Sequence, residues 1–440
     1  MTDASHKTAL NIHRHMRARV VAAAALPLLT LFYLAYVGFA FDVPKLMREA
    51  EGRNAAILLR DASHYKIHVD TPAGQIKPSV SVEGERKGRY ADNRLPAWVE
   101  PGTTQTIIDL GADGSVSVRP TITTIFTADG QFEILRDGRK LRLVTAPDIV
   151  PKNMRVGPRR ITLTGDNSRV TVTPRGTLVY RYFFGWEMFW FARDSRFADM
   201  SLATLMRVAA VGDRVDPEHT NVSVMLSDIW YNPVWRHNEV VWAIGETLLM
   251  AFLGTLGGAI LATPLALLAA RNINPLAPVR AFIRRGLDFV RGVDALVWTI
   301  VLARAFGPGP MTGALAIMIT DAGGLGKMFS EAAESANQRT LEGVKSTGAS
   351  SAPLLRFGLL PQILPVLVSQ TLYLFESNIR SATIVGAIVG GGIGLLITQS
   401  LATQKDWEEV AYYLSLIIVM IMFVDHLSSR LRLWLIHGDK

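Results

Sequence analysis

The stretch Leu341-Glu342-Gly343-Val344-Lys345-Ser346-Thr347-Gly348-Ala349-Ser350, closing at Leu359-Leu360-Pro361, decides how this chain is read. It lies between apolar runs at residues 309–322 and 359–374 and is too polar to cross a bilayer. It is also too rich in helix formers for a plain loop. The expectation is one or two short helices, at about residues 331–357, held on the cytoplasmic face of a membrane bundle. Short exposed helices of this kind suit docking into a groove on a soluble partner. Gly348 permits a tight bend behind the first helix that residues with a Cβ resist, and Pro361 suits the first turn of the next.

Working outward, apolar and polar blocks separate along all 440 residues. Hydrophobic residues make up 49% and charged ones 19%, with mean hydropathy +0.23, too apolar for a soluble protein and too polar for membrane throughout. The run 20–41 holds 22 residues without a charge, about 33 Å of helix against a hydrocarbon core of about 30 Å. A basic start before an apolar run fits both a cleaved leader and a retained span. Its length and the lack of an A-x-A-like site at its end favour the span. Further runs stand at 247–270, 282–306 and 309–322, then at 359–374 and 384–397, and finally at 410–424. Charges Arg284, Arg285, Asp288, Arg291 and Asp294 keep the start of the 282–306 run near the surface, and the polar patch Glu376 to Arg380 joins 359–374 to 384–397.

Loop charge orients the bundle. Segments assigned to the cytoplasm hold 16 basic residues, four of them in residues 1–19, against three (Arg304, Arg380 and Lys405) in the short external ones. About six transmembrane helices with both termini cytoplasmic are expected, in a mainly α-helical membrane protein. Residues 237–440 form its core with five of those helices.

Residues 42–236 form an insertion that this topology places in the periplasm. At about 60–180 it reads as a β-meander, because Asp113-Gly114, Asp129-Gly130 and Asp137-Gly138 punctuate short alternating runs. Eight rings follow within twelve residues, from Tyr180 to Phe191, and predict an amphipathic aromatic helix on the membrane surface. Trp230, Tyr231, Trp235 and Trp242 mark a second approach to the bilayer.

Several chemistries drop out. The chain has no cysteine, which removes disulfides, thiolate metal sites and cysteine nucleophiles. Its nine histidines lack convincing metal spacing, and no nucleophile–histidine–acid set can be argued. The net charge of +8 collects beside apolar runs, with no aromatic platform for nucleic acid. Gly390, Gly391 and Gly392 are followed by no Lys-Ser/Thr, so they read as a broken membrane helix.

The quoted stretch resembles the cytoplasmic signature of membrane subunits of binding-protein-dependent ABC importers, E-A-A-x3-G-x9-I-x-L-P. Glu342, Gly348, Leu360 and Pro361 match at the right spacing, while Gly343 and Val344 replace two alanines and Gly358 replaces an apolar residue. Residues 240–437 further resemble the phosphonate-transport permease family, through 265–272, Asp294 to Trp298, Gly324 to Ala332, Pro361 to Pro365, Tyr373 to Thr383 and Gly390 to Gly394. The resemblance implies a type I ABC importer permease core in the bacterial inner membrane; the inserted extracytoplasmic β-rich domain lies outside the family pattern. It implies no enzymatic activity and no cofactor in this chain, since ATP and Mg would be bound by ATPase subunits, two per transporter. A second permease subunit, identical or paralogous, a periplasmic substrate-binding protein and membrane lipid are the other implied partners. By position, Glu342, Gly343, Val344, Gly348, Leu360 and Pro361 take the ATPase-coupling role. Arg304, Glu376, Asn378 and Arg380, with the three glycines, are candidates for the path of a phosphonate-like anion. Glu376 and Arg380 fit an intrahelical ion pair equally well. Phosphite or phosphate is an alternative cargo. A membrane sensor with a periplasmic β receiver is the alternative of another class.

Overall fold

The computed structural model describes residues 23, 25–49, 52–91, 94–144, 151, 153–198 and 200–437, in two compact units, Met1–Arg60 and Asp61–Lys440. The expectation of a cytoplasmic segment at residues 1–19 lies outside the described residues. In the first unit, apolar helix α1 (Ala25–Ala40) falls inside the run expected to span, followed by α2 (Val43–Glu49). Helix α3 (Gly52–Ser63) crosses into the second unit.

The second unit begins with two six-stranded antiparallel sheets. One is ordered β2-β1-β12-β11-β10-β9, built from β1 (His64–Pro72), β2 (Ser79–Val82), β9 (Met154–Val156), β10 (Ile161–Thr164), β11 (Ser168–Thr173) and β12 (Gly176–Phe184). The other is the meander β3 (Val99–Pro101), β4 (Thr106–Gly111), β5 (Gly114–Val118), β6 (Ile122–Thr127), β7 (Gly130–Asp137) and β8 (Lys140–Leu143). Alternation explains the sandwich. Ile108, Val116, Ile125 and Ile134 of one sheet share a core with Val69, Val170, Val172 and Val179 of the other. Each Asp-Gly site forms a turn as expected, but only its glycine turns left-handed, at φ 112, 131 and 57° for Gly114, Gly130 and Gly138. The aspartates stay at negative φ, so these are not mirror-image turns with two left-handed residues.

The amphipathic aromatic helix expected after the meander is not there. Tyr180, Tyr182, Phe183 and Phe184 lie on β12, and Gly185, at φ 111°, ends the strand. Aromatic side chains alternating across a pleated strand win over a helical reading here. Of the remaining rings, Trp186 and Phe189 fold inward against Trp235, His237 and Tyr412, while Trp190 stays exposed. Two helices follow, α4 (Leu202–Val211), capped by Ser201, and α5 (Asn221–Trp230), capped by Thr220.

The bundle comprises α6 (His237–Ala269), α7 (Ala277–Gly292), α8 (Ala295–Phe306), α9 (Pro310–Glu334), α10 (Gln338–Ser346), α11 (Ser351–Pro353), α12 (Leu360–Val389), α13 (Gly392–Thr403) and α14 (Trp407–His437). A π turn, Leu354–Leu359, joins α11 to α12. Among the described residues three helices are long and apolar enough to cross a membrane: His237–Ala269, Ser351–Val389 and Trp407–Trp434. Two expectations change. The 282–306 run divides at Asp294, whose carboxylate accepts from the Leu296 amide 2.8 Å away and starts α8. The runs 359–374 and 384–397 are not separated by their polar patch, because α12 passes through it unbroken and the chain breaks only at Gly390-Gly391.

Helices α6 and α9 meet along a seam of small residues. A Cβ on Gly254 would lie 2.6 Å from an Ile317 methyl, and one on Gly258 would lie 2.6 Å from Asp321 Cβ. Glycines four residues apart let backbones approach to this depth. Two apolar clusters are stacked along the bundle. One holds Val240, Met250, Ile393 and Tyr413, and the other holds Ala266, Phe329, Ala333, Leu359 and Ile363. The sandwich docks on the first end. Lys87 forms a buried ion pair with Glu408 at the start of α14, and the Glu85 amide donates to Asp406 Oδ1 at 3.1 Å. Helix α10 sits at the other end, where its Leu341 joins the second cluster.

Removing one half of a buried ion pair strands the other charge at a cost of about 3–5 kcal/mol, whereas an apolar pair of similar volume is often tolerated. Lys87→Ala should therefore lower the thermal unfolding midpoint of the purified protein markedly, and Lys87→Met with Glu408→Leu should recover most of the loss. Equal midpoints for wild type and Lys87→Ala would show that the pair does not hold the sandwich.

Candidate functional site

Helix α10 is an outcrop fixed on one side. Asn337 caps it through the Arg339 amide, and Gly348, at φ 80°, turns the chain behind it. Its half-buried residues Leu341 and Val344 face Gly358 in the π turn, where a Cβ would lie 3.1 and 3.6 Å from their methyl groups. The glycine standing where the importer signature has an apolar residue thus lets α10 lie close to the root of α12. Glu342 and Gly343, on the other side, are exposed. Nothing approaches a Cβ built on Gly343, so the missing alanine leaves no gap. Gln362 fixes the entry: its Oε1 accepts from the Asn337 amide at 2.9 Å, and its Nε2 donates to Gly358 O at 2.6 Å.

A polar knot ties the neighbouring helix ends. Glu334, closing α9, pairs with Arg284 of α7 and accepts from the Arg271 amide at 2.7 Å. Asn272 donates to Ala333 O at 2.7 Å. On α7, Asp288 accepts from Lys327 Nζ at 3.2 Å, a hydrogen bond that holds its carboxyl below the ordinary range. A push on α10 therefore meets anchored ends of α6, α7, α9 and α12.

Farther along α12 the sequence candidates part company. Glu376 and Arg380 share a face, with 3.9 Å between carboxylate and guanidinium, and Arg380 is 53% exposed. Tyr373, Ile384 and Ile388 continue this exposed stripe. Asn378 points the other way, into the bundle, where its Nδ2 donates to Thr255 Oγ1 at 2.7 Å and Asp321 Oδ2 at 2.5 Å. It is thus not grouped with Arg380. Arg304 is exposed in the last turn of α8.

At the far end of α12, Gly390, at φ 75°, caps the helix and Gly392, at φ 63°, opens α13. Gly391 lies against Pro310, where a Cβ would come within 2.8 Å of the ring. The first amides of α13 are met by α6: Gly392 N donates to Glu246 Oε2 at 2.9 Å and Ile393 N to Thr247 Oγ1 at 3.0 Å. Sequence reading missed Glu246, Thr247, Thr255 and the role of Asp321. The available signal was an ionisable residue at the edge or inside of an apolar run.

Residues 262–434 match the profile described as binding-protein-dependent transport system inner membrane component. The phosphite transport system permease protein PtxC of Stutzerimonas stutzeri is 33% identical over 187 residues, 42% of this chain and 68% of that protein. The chain belongs to this inner membrane component family. HtxC of the same organism, assigned to phosphite transport as a permease protein, is 38% identical over 43% of this chain and 66% of its own length. The phosphate-import permease protein PhnE of Mycolicibacterium smegmatis is 32% identical over 44% of this chain. The chain spans only 36% of that protein's length. Among solved structures, an inward-facing MetNI methionine ABC transporter aligns with TM-score 0.42 and 18% identity, covering 47% of this chain and 98% of that one. The residues shared with the family are those of the bundle; the sandwich precedes the matched region.

The Asn378 knot yields a test. Asn378→Leu takes a donor from the buried Asp321 carboxylate, a loss of about 1–3 kcal/mol. The detergent-solubilised variant should unfold at lower temperature, and Asn378→Leu with Asp321→Asn should be less damaged than the single change. Additive losses would show that the two side chains act separately.

Proposed function

We propose that this chain is the transmembrane permease subunit of an ATP-driven type I ABC importer for phosphonate or a related phosphorus oxyanion. The observation that carries this reading is α10. Its exposed side carries Glu342 with Arg339 and Lys345, and its Leu341 and Val344 side is seated on Gly358 at the root of the 30-residue α12. Placed in the cytoplasm, it offers Glu342 to an ATPase subunit and passes displacement directly into α12. The relatives carry names of phosphite and phosphate transport, which favours a phosphorus oxyanion as cargo.

Two permease subunits would enclose the pathway, each engaging one ATPase that binds ATP and Mg. In this arrangement the exposed face of α12 turns toward the second subunit, so that Arg380 and Arg304 attract the anion. The contact with Glu376 is long, at 3.9 Å, and the Arg380 side chain is 53% exposed, which leaves its guanidinium able to exchange partners. An importer must also release its cargo, and a loosely held cation suits passage better than a closed anion site. The break at Gly390–Gly392 supplies the bend between α12 and α13 at the end facing the sandwich. That end is read as extracytoplasmic, and a substrate-binding protein would deliver there.

Glu342→Lys and Gly348→Asp should each abolish uptake of radiolabelled phosphonate and phosphite while the protein still inserts in the membrane and folds. Wild-type uptake by both variants would refute the coupling role. Failure of the wild-type chain to co-purify with an ATPase would refute the importer reading itself. Arg380→Gln should cut uptake with normal assembly, whereas lost protein would assign the residue to packing.

A further inference from the structure

The sandwich ends in a cationic crown on the pole farthest from the bundle. The chain leaves the bundle-proximal end at His64 and reaches Pro72 after eight residue steps, about 26 Å along β1. Four turns converge at that far pole. They are the β5–β6 turn at Arg119-Pro120, the β7–β8 turn at Asp137-Gly138-Arg139-Lys140, the β9–β10 turn at Gly157-Pro158-Arg159-Arg160, and the β11–β12 turn at Pro174-Arg175. Hydrogen bonds lock them together. The Ala73 amide donates to Arg175 O at 2.7 Å, Gly74 N to Pro120 O at 3.2 Å, and Leu141 N to Pro158 O at 2.9 Å. From beneath, Arg136 Nε donates to Thr173 O at 3.3 Å and its Nη1 to Arg119 O at 3.4 Å.

Arg119, Arg139, Lys140, Arg159, Arg160 and Arg175 are all exposed. Asp137 is the sole carboxylate on these turns. Six cations on rigid tight turns repel one another, an arrangement that gains nothing for folding. Five are arginines, whose planar forks match carboxylates in pairs.

We propose that this crown docks the acidic face of a soluble substrate-binding protein; the proposal rests on the importer reading above. A second copy of the crown would be repelled. The headgroups of the membrane holding the bundle are a sandwich length away. Cations spread over four separate turns suit a broad protein face better than one small anion. Such a surface steers encounter and fixes orientation, and its effect falls as salt rises.

The test uses the permease–ATPase complex in nanodiscs of zwitterionic lipid, with the cognate substrate-binding protein as the probe. Arg139→Glu with Lys140→Glu, and separately Arg159→Glu with Arg160→Glu, should each weaken binding about tenfold at low salt. Both pairs should flatten its salt dependence and leave basal ATPase activity unchanged. Should reversals fail to assemble, Arg159→Gln with Arg160→Gln is read in the same way, with a smaller loss in the same direction. Wild-type affinity in the assembled variants overturns the crown and leaves the importer reading standing. Competition by inorganic phosphate alone would reassign it to a small anion, and recruitment of phosphatidylglycerol vesicles to a lipid surface; either result overturns protein docking.

Discussion

The close approach of α6 and α9 is the constraint on which the rest of the bundle depends. With Gly254 against Ile317 and Gly258 against Asp321, α6 places no side chain of its own between the two backbones at these levels. That proximity brings Thr255 and Asp321 within reach of one amide on α12, so a single Asn378 can bind both. In a medium where an unsatisfied polar group is expensive, this knot fixes the rotation of α12 about its axis. With Asn378 turned inward, Arg380 turns outward, because two residues along a helix amount to a rotation of about 200°, and Glu376 lies beside it largely covered. A stripe able to meet an anion or a partner helix thus follows from two glycines on a different helix.

The same helix joins the two ends of the bundle. Thirty residues at 1.5 Å each give α12 a length of about 45 Å, from the π turn beneath α10 to the glycine break above. A π turn is an under-wound step with i→i+5 bonds, and this one lies directly under Leu341 and Val344. The bundle thus has one adjustable joint beside the outcrop and another at Gly390–Gly392, with a stiff rod between. Glu246 and Thr247 hold the upper joint from α6, so movement of the rod relative to α6 changes the start of α13 directly.

Local rules were legible in the sequence wherever one residue type dictates one conformation. Gly114, Gly130 and Gly138 mark turns because a left-handed backbone favours glycine, and Gly348 ends α10 for the same reason. What failed depended on partners distant in sequence. Glu376 to Arg380 read as a connector because charge inside a span is costly; on the folded chain a largely covered Glu376 lies 3.9 Å from Arg380, and pairing lessens that cost. The rings from Tyr180 to Phe191 read as a surface helix, yet four of them lie on β12, and Trp186 and Phe189 pack against Trp235 and Tyr412. Glu246 drew no notice at the margin of an apolar run, since the backbone amide it accepts from, Gly392 N, lies 146 residues away.

The attachment of the sandwich follows from charge as much as from shape. Arg86 and Lys87 of one loop meet a start of α14 that carries Asp406, Glu408 and Glu409, and a Cβ on Gly84 would lie 2.9 Å from Asp406 Oδ1. A buried ion pair adds little net stability over an apolar contact, yet it penalises every other register by leaving charges unpaired. Lys87 also lies over the Trp235 ring at 5.6 Å, so the ring cluster beneath β12 and the ion pair share one side chain. The sandwich is thereby joined to the start of α14 and to the entry of α6 at once. A load applied at the distant crown would reach both helices through rigid strands, since no long connector intervenes between Val82 and the docking loop.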